Sequence, residues 1–330
     1  MKKCKEKVLF LCPRFFHYHS DIENELIRNG YAVDSFDDRI KQSSFNKLLK
    51  KIFKRIYAKK TYRYLYNICE RKKNIDYKYV IVVLGLDYSE SSMELLHLYF
   101  KNATFIYYAW DSIGTYPQIK RILPYFQKKY SFDPYDCLEN GVTFLPLFYS
   151  EQLSLGCDKR YLYSCVTSYF PNKDRNICLA LKAVSKVEKG FIHLYTKSLL
   201  FFVYLKIKYR SKIHVKLKDV SFRRIGKEEL KNIFRESFAT VDAQLDKQRG
   251  LTIRTFEALS SKTKLITTNK DIERYNFFNA TNIFVVEEGK IIPDSFFETP
   301  FDDNCKLEIY SIETFTKVLI GEIKPQNYLK

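Results

Sequence analysis

The stretch GKEELKNIFRESFATVDAQLDKQRGLTIRTFEALSSKTKLITTNKDI, residues 226–272, carries the alternation that decides the fold of this chain. Its two apolar strands are short and separated by helical segments, which is typical of a parallel sheet covered by helices on both faces. A loop that contains a glycine joins the first strand to the second helix. The predicted elements are a helix at 226–237, a strand at 238–244, a helix at 252–261 and a strand at 264–269.

The same alternation opens the chain. KVLFLCP (7–13) reads as a buried strand, residues 20–30 as a helix ending at a glycine, and YAVDSFD (31–37) as the next strand. A strand, a helix and a strand within about 30 residues predict a Rossmann-like unit. A second such series begins at the apolar stretch YLYSCVTSY (161–169).

The remaining elements complete two halves of similar design. LLFFVYL (199–205) is interpreted as a buried segment of one of them. Further predictions are strands at 77–87, 103–111, 190–196 and 212–222, and helices at about 90–100 and at 173–187, 198–210 and 270–277. Residues 128–137 are predicted to supply a strand and loop, and residues 282–320 a short strand and a C-terminal helix.

The length of 330 residues exceeds the roughly 250–300 at which a single hydrophobic core stops growing. We therefore predict an α/β protein of two Rossmann-like domains, residues 1–158 and 159–330, that face a cleft. The C-terminal helix is expected to cross back to the first domain.

The charge balance is strongly basic, with 56 Lys and Arg against 38 Asp and Glu, a net charge of +18. Such a charge attracts nucleic acid, anionic membrane surfaces or phosphorylated substrates, and by itself does not choose among them. The 26 Tyr and 27 Phe are too many for any one site and must serve packing.

The cysteines and the apolar runs indicate a cytoplasmic protein. The eight cysteines are scattered without metal-ligand spacing, so we expect free thiols in a reducing compartment. The apolar run before Pro13 is too short for a signal peptide, and no run approaches the roughly 18–20 residues of a spanning helix.

The loop and helix after residue 248 predict an anion site. The N-terminus of a helix offers free backbone N–H groups and the positive end of the helix dipole. Gly250 lets a phosphate approach the backbone, Thr252 can cap the helix and add a hydroxyl donor, and Glu257 can accept hydrogen bonds from a ribose diol. This arrangement suits a nucleoside diphosphate, although a plain turn and a solvated glutamate would produce the same pattern.

Four stretches carry a resemblance to a known family: Gly226–Leu230, Gly250–Thr252, Glu257–Leu259 and Lys264–Thr268. Together they resemble the donor-binding segment of retaining-type glycosyltransferases with two Rossmann-like domains, the GT-B fold. This group includes bacterial capsule and lipopolysaccharide enzymes and the spore-maturation glycosyltransferase-like proteins. The resemblance implies transfer of a sugar from a nucleotide sugar to a surface-polysaccharide or lipid-linked glycan acceptor.

The chain departs from the family pattern at two places. Arg249 stands where the family often has a second glutamate, and Lys262–Lys264 replaces the usual Gly-x-Pro. The family works without a bound metal or cofactor and offsets the charge of the leaving diphosphate with cations and helix dipoles. The candidate cations here are Arg249, Arg254 and Lys197, with Arg254 predicted to be catalytic, and Thr167 and Ser168 end a strand where a ligand can approach. The predicted donor site comprises Thr167, Ser168, Lys197, Gln248, Arg249, Gly250, Leu251, Thr252 and Glu257.

The strand ends of the first half supply candidates for the acceptor side. His17 and Asp111 are predicted catalytic groups, since a general base for an acceptor hydroxyl belongs at such a place. Arg14 and His19 are predicted to bind the acceptor. His17 and His19 could instead form a metal pair, but no further ligand is apparent. The pair Asp37–Asp38 is interpreted as a turn, because Asp-Asp pairs are frequent there.

Residues 43–73 form a basic amphipathic helical region with two open interpretations. Its apolar stripe either lies on anionic lipid and reaches a lipid-linked acceptor, or packs on the sheet with its lysines solvated. The stripe consists of Phe45, Leu48, Leu49, Ile52, Phe53, Ile56 and Tyr57.

Three rival functions stay open beside the transferase. A sugar-nucleotide epimerase can use the same paired architecture. A degenerate transferase would keep the fold and only bind, and Arg249 at the usual glutamate position fits that. A basic nucleic-acid-binding protein is permitted by the charge, but no recognised nucleic-acid motif supports it, so nucleic acid is not an expected partner.

Overall fold

The computed structural model of the protein describes residues 5–14, 18–151, 158–246 and 248–330. The chain divides into two compact units by its internal contacts. Unit 1 comprises Met1–Pro146 and Ile312–Pro325, and unit 2 comprises Leu147–Ser311 and Gln326–Lys330. The main division thus falls earlier in the sequence than the predicted boundary at residue 158, and the segment 312–325 lies in unit 1.

Unit 1 is built on a six-stranded parallel sheet of order β2-β1-β3-β4-β5-β6. Its strands are Lys7–Leu11 (β1), Ala32–Phe36 (β2), Tyr79–Val83 (β3), Thr104–Ala109 (β4), Lys128–Ser131 (β5) and Thr143–Phe144 (β6). Its helices are Tyr18–Arg28 (α1), Ser44–Ile52 (α2), Lys54–Lys72 (α3), Glu90–Tyr99 (α4), Pro134–Asn140 (α5) and the late helix Ile312–Ile320 (α11).

The core of unit 1 follows from its strand sequences. Every residue of β3, YVIVV, is buried, as expected for a parallel strand with helices on both faces. The capping box formed by Ser89 and Ser92 starts α4, and the Asp133 side chain, with Pro134 in the first turn, starts α5.

The C-terminal helix α11 packs into unit 1, as the sequence predicted. The Phe315 ring meets the Tyr108 ring edge-on, with centroids 5.0 Å apart. The Tyr130 hydroxyl donates to the Val318 carbonyl at 3.0 Å, and the Lys128 ammonium donates to the Ile320 carbonyl at 2.6 Å.

Unit 2 repeats the design with a parallel sheet of order β12-β11-β10-β7-β8-β9. Its strands are Tyr161–Ser168 (β7), Gly190–Tyr195 (β8), Val220–Ser221 (β9), Ser237–Asp242 (β10), Lys264–Thr267 (β11) and Ile283–Val285 (β12). Its helices are Asp174–Ala183 (α6), Leu199–Lys208 (α7), Lys227–Arg235 (α8), Ile253–Ser260 (α9) and Ser295–Glu298 (α10).

Four predicted segments differ from the structure. The predicted helix 43–73 is interrupted at Phe53 (φ −111°, ψ 60°) and forms α2 and α3. The predicted strand 212–222 is reduced to β9, because the backbone N–H groups of His214 and Val215 donate to the Asp174 carboxylate instead of to a strand. The predicted helix 270–277 is only a 3₁₀ turn, Lys270–Arg274.

The fourth difference concerns LLFFVYL (199–205), which the sequence predicted to be buried. It forms most of α7, where Phe202 and Leu205 are buried but several of its other apolar side chains are exposed. No helix among the described residues combines the length and the apolarity that crossing a membrane requires.

Candidate functional site

The candidate site of unit 2 lies at the carboxyl ends of β7 and β10. These strands are neighbours in the sheet. From β7 the strand order runs through β8 and β9 on one side and through β10, β11 and β12 on the other. In open α/β sheets ligands bind outside the carboxyl ends of the strands at such a switch point. Thr167 and Ser168 end β7, and Asp242 ends β10.

Asp242 ties the start of α9 to the sheet. Its buried carboxylate accepts hydrogen bonds from the Thr252 hydroxyl at 2.6 Å and the Thr255 hydroxyl at 3.0 Å. Thr252 does occupy the N-cap position, but its side chain makes no capping hydrogen bond. The expected capping role is therefore wrong, and this hydroxyl leaves the first backbone N–H groups of α9 to other acceptors.

Lys173, which the sequence analysis missed, lies beside Thr167. Its ammonium donates to the Thr167 hydroxyl at 3.0 Å. The pKa of Lys173 is lowered to about 8, mainly by burial. The Asp242 carboxylate opposes this shift, and the positive charge of Arg254 adds to it. A lysine placed shortly after the carboxyl end of a predicted strand was the signal that could have identified it.

Arg254, in the first turn of α9, is the second cation of this environment. Its Nε is buried and has no hydrogen-bond partner among the described residues. Its charge also lowers the pKa of Cys165 on β7, although burial dominates and raises that pKa to about 12. The site thus holds two cations and one carboxylate, and that carboxylate already accepts hydrogen bonds from two threonine hydroxyls. The positive charge is in excess, which favours an anionic ligand.

The loop before α9 is held by one hydrogen bond within it and by contacts with Asn269 and Asp271. The Gln248 amide donates to the Gly250 carbonyl at 3.0 Å, and the Asn269 amide donates to the Arg249 carbonyl at 3.0 Å. The Arg249 guanidinium forms an ion pair with Asp271 at 3.2 Å and stays largely exposed. The side chain of Leu251 is buried, so only its backbone can reach a ligand.

The other predicted donor residues are Glu257, Ser168 and Lys197. Glu257 lies in the second turn of α9 and is partly buried. Ser168 ends β7 opposite Tyr195 of β8. Lys197 follows β8 and is exposed, and its ammonium lies 5.4 Å from the centre of the Phe201 ring of α7.

The predicted residues of unit 1 are placed as follows. Arg14 donates to the Ser35 carbonyl at 3.1 Å, and the Nε2 of His19 lies 3.2 Å from the Ser20 hydroxyl. His17 lies outside the described residues. Asp111 follows β4, and burial raises its pKa while the Arg39 charge opposes that rise.

Asp38 is more than the turn residue that the sequence suggested. Its buried carboxylate accepts two hydrogen bonds from the Arg39 guanidinium, at 2.6 and 3.0 Å, and one from the Gly85 N–H at 3.2 Å. Asp37 alone has the expected turn role, since it accepts from the Arg39 N–H at 3.3 Å. Asp38 thus positions the guanidinium whose charge acts on Asp111.

The described residues contain no group of three or more His, Cys, Asp or Glu side chains arranged to hold a metal ion. The six described cysteines are free thiols; they are Cys12, Cys69, Cys137, Cys165, Cys178 and Cys305.

Comparison with known proteins identifies the fold. No family model matches the chain, and no curated protein matches its sequence. AviGT4, a glycosyltransferase involved in avilamycin A biosynthesis, superposes with a TM-score of 0.57 at 10% identity, covering 97% of each chain. HepE from Anabaena, in complex with UDP and glucose, matches at 0.56 and 9% identity over 96% of this chain and 95% of its own.

A third solved structure belongs to another enzyme class. UDP-GlcNAc 2-epimerase from Methanocaldococcus jannaschii matches with a TM-score of 0.50 at 10% identity, over 96% of this chain and 98% of its own. The chain therefore has the GT-B type of fold, with two parallel six-stranded α/β units, and resembles GT-B glycosyltransferases as the sequence predicted.

Proposed function

We propose that this protein is a glycosyltransferase that moves a sugar from a nucleotide sugar to a surface-polysaccharide or lipid-linked glycan acceptor. The observation that carries the proposal is the pair Lys173 and Arg254 at the switch point of unit 2, with the Arg254 Nε buried and unpaired among the described residues. Two cations beside an uncapped helix start favour a diphosphate.

The proposed roles follow from this placement. Lys173, Arg254 and the first N–H groups of α9 hold the diphosphate, and Glu257 accepts hydrogen bonds from the ribose. As the bond to the sugar breaks, negative charge grows on the leaving diphosphate, and these cations stabilise it without a metal ion. Thr167, Ser168, Lys197 and the loop 248–252 complete the proposed donor site.

Unit 1 is proposed to bind the acceptor through Arg14 and His19. Asp111 is the proposed general base for the acceptor hydroxyl, with His17 as the other catalytic candidate, because a raised carboxylate pKa improves proton abstraction near neutral pH. Support for a nucleotide sugar as donor comes from HepE, whose structure holds UDP and glucose.

The basic region 43–73 supports an acceptor at an anionic membrane. Phe45, Leu48, Ile52, Phe53 and Ile56 are exposed, so the reading in which the whole stripe packs on the sheet is wrong for these five residues. Only Leu49 and Tyr57 of the stripe are buried, against Ile40. Exposed apolar groups among lysines are what a peripheral contact with anionic lipid requires, and we propose that role at the inner face of the cell membrane.

The first experiment is a thermal-shift panel of nucleoside diphosphates and their sugars. A ligand at 100 times its Kd adds about 2.7 kcal/mol to the free energy of unfolding, which such an assay detects. We expect a shift with one base, lost in Glu257→Ala and kept in the exposed control Glu298→Ala. The matching nucleotide sugar and a glycan acceptor should then release the nucleoside diphosphate.

An epimerase is the second candidate, favoured by the near full-length match to a UDP-GlcNAc 2-epimerase. An epimerase would convert the nucleotide sugar without an acceptor, and the product would retain the nucleotide. Binding of a nucleotide sugar with neither reaction would indicate a degenerate transferase. The proposal would be overturned if no nucleotide changed the unfolding temperature and the protein bound nucleic acid in a salt-sensitive way. The function would then be nucleic-acid binding.

A further inference from the structure

Helix α7 of unit 2 exposes an apolar face that the fold does not use. Phe202 and Leu205 point into the core, whereas Leu200 is 83% and Ile207 is 74% exposed. Val203 and Tyr204 lie between them at helical spacing and are also exposed, so one continuous stripe faces outward. Clustered exposed apolar side chains mark an interaction surface, unlike single exposed ones.

A groove lies beside this stripe and shares Val203 and Ile207 with it. Its volume is about 550 Å³, and its wall is mostly apolar: Leu199, Phe202, Val203, Ile207 and Leu217, with Lys206 and Arg210. Leu217 comes from the segment that follows α7 and is itself exposed. The surface therefore offers both protruding side chains and a mostly apolar recess.

The charges within the segment 197–218, which carries the stripe, have one sign. Between Lys197 and Lys218 the chain has no Asp or Glu. The Lys206 ammonium lies over the Phe202 ring at 5.6 Å and the Lys208 ammonium over the Tyr204 ring at 5.6 Å, so both stems lie along apolar surface. The basic residues are Lys197, Lys206, Lys208, Arg210, Lys212, Lys216 and Lys218.

We propose that this surface, the α7 face, docks onto an anionic lipid bilayer, with α7 lying in the plane of the membrane interface. The leucine and isoleucine side chains enter the acyl region, lipid chains fill the groove, and the surrounding cations contact anionic headgroups. A ten-residue helix is too short to cross the bilayer.

Charge complementarity selects this occupant over a second copy of the chain. A self-associated pair would bring two sets of cations together without any acid of the segment to offset them, which is repulsive. An anionic bilayer attracts the same cations and accepts the apolar stripe without a matching protein surface. The α7 face is in unit 2, whereas the exposed stripe of α2 and α3 is in unit 1, so each can be altered separately.

The test is sedimentation of the full chain with vesicles of phosphatidylcholine alone or with 30% phosphatidylglycerol as a rough working fraction. Leu200→Gln with Ile207→Gln should lower binding to the anionic vesicles by about tenfold, since two large side chains leave the acyl region. The matched control, Leu98→Gln with Leu138→Gln, alters two exposed leucines of unit 1 and should bind as the unaltered protein does. All variants should unfold at the same temperature, because these side chains lie outside the core.

Lipid binding is measured without any sugar transfer, so this result and that of the transferase proposal are separable. Failure of the unaltered protein to bind anionic vesicles would overturn the inference. So would equal binding by the α7 variant, particularly if Phe45→Gln with Ile52→Gln abolished it, because unit 1 would then carry the contact alone. Concentration-dependent dimerisation that the α7 variant abolishes would assign the face to a second copy instead.

Discussion

Lys173 and Arg254 hold positive charge in a partly buried place where the described residues offer little to balance it. Asp242 is the nearby carboxylate, and two threonine hydroxyls already donate to it. Burial disfavours the charged form of a lysine, which explains the low pKa of Lys173. A protein retains such a pair at a stability penalty, and an anion that occupies the site would remove that penalty.

Arg254→Met should weaken binding of the nucleoside diphosphate by about 10- to 100-fold, because a hydrogen bond to a charged phosphate is lost. Isothermal titration calorimetry measures the change. Arg160→Met is the matched control, since Arg160 stands at the opposite end of β7, and its Kd should not change. If both variants bound the nucleotide with equal affinity, Arg254 would not contact the diphosphate.

The lowered pKa of Lys173 predicts how the affinity for a nucleotide depends on pH. Its pKa in the folded protein, about 8, lies below its ordinary value of 10.5. The lysine is charged below pH 8 and loses its proton as the pH rises above it, so the affinity should fall between pH 7 and pH 9 and binding should take up a proton there. Titrations in buffers of different ionisation enthalpy measure this uptake.

The lowered pKa of Lys173 also makes the free energy of unfolding depend on pH. Between pH 8 and 10.5 the unfolded chain holds the proton that the folded chain releases, so stability from this group rises with pH in that window. Below pH 8 the penalty of the buried charge is fully present. Lys173→Met should therefore raise the unfolding temperature at pH 7 while weakening nucleotide binding. A lower unfolding temperature together with unchanged binding would contradict both parts.

At the scale of elements, the start of α9 is fixed by a strand end and not by its own cap. The Asp242 carboxylate at the end of β10 holds the hydroxyls of Thr252 and Thr255. This places the helix N-terminus over the edge of the sheet where the cations lie. One buried side chain, Asp242, thus determines where the positive end of the α9 helix dipole lies.

Thr252→Val removes one of these hydrogen bonds and leaves the shape of the side chain unchanged. Because a buried carboxylate loses a donor, the free energy of unfolding should fall by about 1–3 kcal/mol. Nucleotide binding should weaken as well, since the helix start is less firmly placed. Thr143→Val, at an exposed position of strand β6, is the control and should change neither quantity in denaturant titrations and calorimetry.

At the scale of the whole molecule, unit 1 is completed by a segment distant in sequence. Helix α11 contributes Phe315, Val318, Leu319 and Ile320 to its interior. The single tryptophan, Trp110, also lies in unit 1, so its fluorescence reports the unfolding of that unit.

Phe315→Ala should lower the stability of unit 1 by about 3–5 kcal/mol, because a buried ring that contacts Tyr108 leaves a cavity. Denaturant titration followed by Trp110 fluorescence measures this loss. Glu313→Ala alters an exposed residue on the same helix and should change stability by no more than about 0.5 kcal/mol. An unshifted Trp110 transition in Phe315→Ala would mean that α11 does not stabilise unit 1.

The periodicity of the sequence was enough to predict both sheets and most of their helices, whereas the return of the last helix to unit 1 was an expectation tied to the GT-B resemblance. Buried parallel strands are continuous apolar runs, and this signal is local in sequence. The loop 248–252 and α9 were also predicted as the anion-binding segment, because glycine and helix-start signals are local. Whether these residues bind a donor sugar stays a prediction.

Only the tertiary structure decided which charged groups share an environment and which apolar groups stay exposed. Lys173 joins Arg254 because β7 and β10 are neighbours, although they are far apart in the chain. The hydroxyl of Thr252 serves Asp242 instead of capping α9 for the same reason. LLFFVYL and the stripe of α2 look like core in sequence, but their neighbours cover only one side of each helix. Burial and electrostatic coupling depend on contacts between distant residues, and local periodicity carries no information about them.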